Sequence, residues 1–597
     1  MEPVNSQNSA GNSTGAGPDS RNLEERVEDL LSRMTLEEKA GMMFQAMIMV
    51  NPDGTLFEGV GRIGPFSTRE MILEKKLNHF NVLATPKPRQ TAEWYNRLQE
   101  LAATTRLGIP VTISSDPRHA FTDNPAASFL AGDFSQWPES LGLAATGDEE
   151  LVRQFGDIAR QEYVAVGIRA ALHPMADLAT EPRWARINGT FGEDAELSAR
   201  MVGAYIRGFQ GEKLGPESVA CMTKHFPGGG PQKDGEDPHF PYGREQVYPG
   251  DNFDYHLIPF KTAFEAGTAQ IMPYYGMPVG TELEEVGFAF NKQVITGLLR
   301  EKFGFEGVVC ADWGVLSSAD EVNFPARAWG VENLSLHERA KKALEAGVDQ
   351  FGGESCPEVI VELVRSGQVA ESRIDTSVRR LLRDKFRLGL FDNTYVDPAR
   401  AETIVGRADF KEAGELAQRK SIVLLKNSAT PAGNILPVQG RPRLYLENIA
   451  AEVATDFGEV VTGPDQADLA ILRLKTPYEQ RDGNFLEKMF HAGSLEFGGA
   501  ERERILGIAR QVPTIVDIYL DRPAVIPEIA EASAALLANF GANDRALLDV
   551  IFGRFSPSGK LPFELPSSME AVLRQKSDVP YDSENPLFPF GSGLTYS

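Results

Sequence analysis

At 597 residues, the chain exceeds a single domain of roughly 100 to 200 residues, so it holds more than one core and is no small stapled scaffold. Hydrophobic residues make up 42% and charged residues 24%, the balance of a globular protein, and no run approaches the ~20 apolar residues of a membrane helix. Lys and Arg total 60 against 84 Asp and Glu, a net charge of −24. That excess argues against nucleic acid as a partner and leaves neutral or cationic ligands easier to hold.

The first 20 residues are rich in Asn, Ser and Gly and predict a disordered tail. They contain no apolar signal segment, which points to the cytoplasm. Gly11-Asn12-Ser13-Thr14-Gly15 has the letters of a nucleophile elbow, without the strand before it and helix after it that an elbow needs. Leu23, Val27, Leu30, Leu31 and Met34 form a helical stripe, and Thr35-Leu36-Glu37-Glu38 is a capping box that starts a second helix. From there to about residue 395, apolar runs such as Ile109 to Ile113 and Gly307 to Cys310 alternate with helical segments such as Asp148 to Glu162 and Leu336 to Ala346. The alternation predicts a (β/α)₈ barrel over residues 21–395, with its active site where the strands end.

Residues 379–391 read as a closing helix and 396–417 as a linker. A second α/β pattern, at 418–597, predicts an open sheet with helices on its faces, the α/β sandwich form. Its expected strands are Ser421 to Leu425, Leu469 to Leu474, Thr514 to Leu520 and Ala534 to Phe540. Cys221, Cys310 and Cys356 fit neither a disulfide framework nor a zinc site, and are expected as buried, reduced thiols.

Four predicted strand ends carry chemistry. Gly307 to Trp313 puts the carboxyl of Asp312 just past a buried strand, beside an indole. A carboxylate can attack an anomeric carbon while an aromatic face packs on a pyranose; the plainer reading of Asp312 is a helix cap. Leu107 to Asp116 ends in a second carboxylate. Glu181-Pro182-Arg183-Trp184-Ala185-Arg186 carries two guanidiniums around an indole. Lys224-His225-Phe226-Pro227-Gly228 places an ammonium and an imidazole before a glycine run. Each could be an ordinary ion pair, but four at successive strand ends suit the binding of sugar hydroxyls.

With these motifs, the chain resembles the family 3 glycoside hydrolases, the two-domain β-glucosidase and β-glucan exohydrolase type. The resemblance includes Met34 to Lys39, Phe191-Gly192-Glu193-Asp194, Lys385 to Phe391, Leu424 to Asn427, Leu436-Pro437, and Pro557 to Pro562. It implies that Asp312 is the nucleophile of a retaining hydrolase. By the same resemblance Asp116, Arg186, Lys224, His225 and Tyr274 hold the nonreducing-end sugar, and Trp313 is one wall of the next subsite.

A retaining mechanism also needs an acid/base group near the nucleophile. In two-domain members it is a glutamate in a Pro-Tyr-x-Glu context, which Thr476-Pro477-Tyr478-Glu479 approaches with shorter spacing. Glu479 is therefore the expected acid/base, with Asp482, Glu487 and Glu496 as competitors. A rival lies in the barrel: Asp237-Pro238-His239 is similar to the Asp-His pair of the β-N-acetylglucosaminidase branch.

The implied activity is an exo-acting β-glucosidase with its pocket between the domains. β-N-acetylglucosaminidase, β-xylosidase and a catalytically dead sugar-binding protein are the alternatives. The partner is a small-molecule glycoside or oligosaccharide, with no nucleic acid, membrane, metal or organic cofactor implied. A homo-oligomer is compatible with this reading. The long stretch 231–259 and the segment Phe485 to Gly499 are candidate pocket walls.

Overall fold

The computed structural model of the protein describes residues 22–59, 66–121, 128–319, 324–430 and 433–596; the expected tail lies outside them. Helix Leu23–Arg33 starts at a capping box on Asn22, and helix Leu36–Met42 at the one expected on Thr35. Eight parallel strands then close a barrel: Phe44–Ile48, His79–Val82, Thr112–Ser115, Ile168–Ala171, Ala220–Phe226, Gln270–Pro273, Val308–Ala311 and Gln350–Gly352. Each lies beside its sequence neighbours, and the register Phe44↔Phe351 joins first to eighth. The short apolar runs are buried on both faces, as strands roofed by helices must be. Helix Leu336–Ala346 falls as expected. The closing helix runs Glu371–Arg387, earlier than expected, because its buried stripe begins at Ile374 beneath a charged first turn.

The segment expected as a linker is helical: Pro398–Ile404 is capped by Asp397, and Ala408–Ser421 follows. Its apolar signal is a narrow stripe of Phe410, Gly414, Ala417 and Ser421 among charged residues, too thin to stand out in sequence. Gly414 lies against the barrel, where a Cβ would stand 2.3 Å from the Gln136 carbonyl.

The second domain is a six-stranded sheet. Its expected strands appear as Val423–Asn427, Leu469–Lys475, Thr514–Tyr519 and Ala535–Asn539, and Arg443–Glu447 and Glu459–Val461 extend one side. These two are mostly half-buried and flanked by charged residues, so no long apolar run announces them. Val423–Asn427 pairs antiparallel at the opposite edge; the other ladders are parallel.

Alternate residues of this sheet serve different cores, as the two-residue strand period dictates. Ile471, Ile515 and Leu537 face a core with Leu547 and Ile551. Leu472, Val516 and Leu536 face the core that continues into the barrel. Gly192, at φ +101°, is part of the seam between domains, since a Cβ there would meet the Pro562 carbonyl at 2.1 Å. Among the described residues Cys221 and Cys310 are buried free thiols and Cys356 is free and partly buried. No helix among them is long and apolar enough to cross a membrane.

Candidate active site

The pocket opens at the carboxyl ends of the barrel strands. Asn81 is in the second strand, and Asp116 is one residue past the third. The fifth strand supplies Lys224 and His225. Neighbours on a regular strand point to opposite faces, but the ladder here shifts register between Lys224 and Phe226. This irregularity accompanies the placement of both side chains among the site's polar groups, Lys224 against Asp116 and His225 against Arg186. Tyr274 and Tyr275 follow the sixth strand, and Asp312 and Trp313 the seventh. The floor is the apolar group Leu172, Met222, Met272 and Cys310, with Trp313 packed against it.

Hydrogen bonds fix the polar wall. Lys224 Nζ donates to Asp116 Oδ1 at 3.0 Å and Asn81 Nδ2 to Asp116 Oδ2 at 3.3 Å. Burial alone would raise the Asp116 carboxyl, but Lys224, Asn81 and Arg186 outweigh it and hold it below its ordinary value. Arg186 NH1 donates to His225 Nε2 at 2.9 Å and lies 3.5 Å from the Tyr274 hydroxyl. That hydroxyl and Trp184 Nε1 donate to Asp237 Oδ2 at 3.0 and 2.8 Å. Asp237 Oδ1 in turn lies 2.6 Å from His239 Nδ1. Burial opposes ionisation of Asp237, but His239 and Arg186 dominate and push its pKa down. Burial also holds the His239 imidazole below its ordinary 6.5, against the pull of Asp237.

Asp312 is distinctive. Its Oδ1 accepts the Trp313 N–H at 2.8 Å, while its Oδ2 is buried without a hydrogen-bond partner among the described residues. The nearest basic nitrogen is His225 Nε2 at 3.8 Å. A buried carboxylate oxygen is costly to leave unpartnered, so its opening toward a cavity marks the position where another group makes contact. The Trp313 indole donates to Met47 Sδ at 2.8 Å, and its carbonyl accepts from Tyr275 Oη at 2.7 Å and Arg327 NH1 at 3.0 Å.

Of the residues expected from sequence, Asp116, Arg186, Lys224, Asp312 and Trp313 line the cavity. His225 and Tyr274 stand behind Arg186. Glu479 is outside the lining: it is exposed, and its Oε1 accepts the Ser494 N–H at 3.1 Å. Asp482 and Glu496 are exposed, and Glu487 accepts the Tyr242 hydroxyl at 2.7 Å. His239 does line the cavity, beside Tyr275, Leu486 and Phe490. Asn81, Asp177, Tyr275 and Arg327 escape a reading of the sequence. Tyr275 adjoins a recognised strand end, whereas Arg327 has no local signal. Among the described residues no group of three His, Cys, Asp or Glu could hold a metal ion.

Residues 60–383 match the N-terminal domain of glycosyl hydrolase family 3, and residues 416–596 its C-terminal domain. The chain is 54% identical over 583 residues to probable β-glucosidase C of Aspergillus flavus, covering 96% of this chain and 91% of that one. It is 45% identical over 596 residues to a periplasmic β-glucosidase/β-xylosidase of Dickeya chrysanthemi, covering 96% and 90%. A β-glucosidase structure from Erythrobacter marinus superposes with a TM-score of 0.79 at 22% identity, over 97% of this chain and 83% of that one. The exo-1,3/1,4-β-glucanase of a Pseudoalteromonas species gives 0.76 at 23%, over 96% and 74%. These two likenesses concern the fold. Because both domain models match in order and the relatives span nearly the whole chain, the protein belongs to glycosyl hydrolase family 3.

Proposed function

We propose that the protein is an exo-acting retaining β-glucosidase in which Asp312 is the nucleophile. The observation that carries this reading is the unpartnered, buried Asp312 Oδ2 in a pocket walled by Asp116, Arg186 and Lys224. A closed floor admits only the end of a saccharide, which favours removal of one nonreducing-end sugar. The β-glucosidase relatives at 54% and 45% identity support glucose as that sugar, and the Dickeya relative's second named activity makes β-xylosides the comparison substrate.

Asp312 Oδ2 attacks the anomeric carbon as the bond to the aglycone oxygen breaks, and the acid/base group gives that oxygen its proton. Water then attacks the glycosyl-enzyme and loses a proton to the same group, which frees the sugar and restores the Asp312 carboxylate. The cavity lining favours His239 as the acid/base, because Asp237 engages Nδ1 and leaves Nε2 available to substrate. Glu479 is the second reading, favoured by its place in the segment that closes the pocket.

Asp312→Ala should lose at least about 10³-fold in turnover of aryl β-glucosides; wild-type turnover in that variant would sink the assignment. Removing the acid/base should cost about 10²- to 10⁴-fold on a poor leaving group and far less on 2,4-dinitrophenyl β-glucoside, with azide restoring turnover. His239→Ala is expected to behave so. If Glu479→Ala does instead, Glu479 holds the role. A histidine acid works only when protonated, so kcat/KM should fall as pH rises through a value below 6.5.

A further inference from the structure

The walls of the pocket differ in chemistry. Barrel strand ends supply the polar wall of Asn81, Asp116, Arg186 and Lys224. Across from them, Leu486 and Phe490 of the second domain line the cavity together with Trp313. Phe490 shares a small apolar cluster with Ala185, Phe240 and Ala492, against which Leu486 packs. Farther out, Phe485 meets Phe324 edge-on, with centroids 5.4 Å apart. Phe485 is 49% and Met489 40% exposed, so apolar surface continues from the cavity toward solvent.

The segment is latched in place. Arg481 donates to both oxygens of Glu236 at 2.6 and 2.7 Å, and the Tyr242 hydroxyl donates to Glu487. Arg481 also lies 5.3 Å from the centre of the Tyr242 ring. Both latches join the second-domain segment to the barrel loop that carries His239.

A second sugar can stack its C–H face on Phe490 or Phe485, but hydroxyls brought against Leu486 and Met489 would lose water and find no partner. An apolar aglycone would bury hydrocarbon there and against Trp313 at no such cost. Resting on the β-glucosidase reading, we propose that Leu486, Phe490 and Phe485 form an aglycone subsite that selects β-glucosides of flat apolar alcohols over oligosaccharides.

The test compares kcat/KM for 2-phenylethyl β-glucoside, methyl β-glucoside and cellobiose, which all release an unactivated alcohol. The wild type should prefer the phenylethyl substrate by about tenfold or more. Leu486→Asn should lower the phenylethyl-to-methyl ratio by about tenfold, equivalent to about 1.4 kcal/mol. Phe485→Ser, at a half-exposed position where folding is not at stake, should lower it by about threefold. Cellobiose turned over as well as the phenylethyl substrate, or a ratio unmoved in both variants, overturns the proposal. β-Glucosyl fluoride carries no aglycone, so failure of the wild type to hydrolyse it counts against the β-glucosidase reading instead.

Discussion

The proton on His225 is fixed by its neighbours. A guanidinium only donates, so His225 Nε2 must accept from Arg186, and Nδ1 carries the hydrogen that reaches Asp177 Oδ2 at 2.7 Å. Burial, reinforced by Arg186, holds the imidazole well below its ordinary pKa. Burial raises Asp177 to about 6, although the N–H groups of His225 and Gly229 oppose it. The imidazole is thus a neutral strut that holds Arg186 against the sugar site. Asp177→Asn presents an amide to those N–H donors and should lower kcat/KM on aryl β-glucosides about 10²-fold through misplacement of Arg186. Unchanged kinetics would detach Asp177 from catalysis. Lys224 and His225 are legible in sequence as a strand-end motif, but their Asp177 support is not, because it lies 48 residues away from His225 in the chain.

Among the elements, the segment between strand Leu469–Lys475 and helix Gly499–Ala509 gives the pocket its outer wall. Its short helix Phe485–Met489 has a capping box on Asn484 and no buried residues, so attachment to the barrel rests on a few contacts, Tyr242 with Glu487 inside the helix and Arg481 with Glu236 before it. Arg481→Ala removes the Glu236 latch and should raise KM for 2-phenylethyl β-glucoside about three- to tenfold, with kcat changed less; an unchanged KM would show that the latch is idle. Sequence marked Phe485 to Gly499 and residues 231–259 as walls, because long polar stretches with aromatics are poor core material. It could not say that Phe490 faces inward and Glu479 outward, since the bridge Glu479↔Ala492 sets that orientation.

At the scale of the molecule, the two domains share one apolar core, and Glu193 is a polar weld between them. Its carboxylate accepts the N–H groups of Glu564 at 2.6 Å and Tyr581 at 2.9 Å. Burial, with Glu564 and Asp194 adding to it, raises its pKa from 4.5 to about 8. The folded state then holds a proton that the unfolded chain has released. Stability from this group is complete below about pH 4.5 and is lost as pH rises toward 8, with a slope of at most about 1.4 kcal/mol per pH unit. Glu193→Gln should abolish that slope, as denaturant unfolding between pH 5 and 8 would show. A variant keeping the wild-type slope would place its origin elsewhere.

By itself the sequence determined the barrel, the order of the two domains, and the cluster of Asp116, Arg186, Lys224 and Asp312. For Asp116 and Asp312 this is a local fact, because a residue just past a buried parallel strand lands at the barrel's catalytic end. Lys224 lies within its strand, and Arg186, expected at a strand end, stands in the long loop after strand Ile168–Ala171, so these two were legible through the family resemblance. The helices between the domains, the inward turn of His239, and the apolar wall of Leu486 and Phe490 were decided by tertiary structure. The helices and the apolar wall depend on how one sheet docks on the barrel through the Gly192 to Pro562 contact and a core shared by distant residues. His239 is turned inward by Asp237 and by barrel contacts from Arg327 and Trp329, 88 and 91 residues on; no local pattern encodes either.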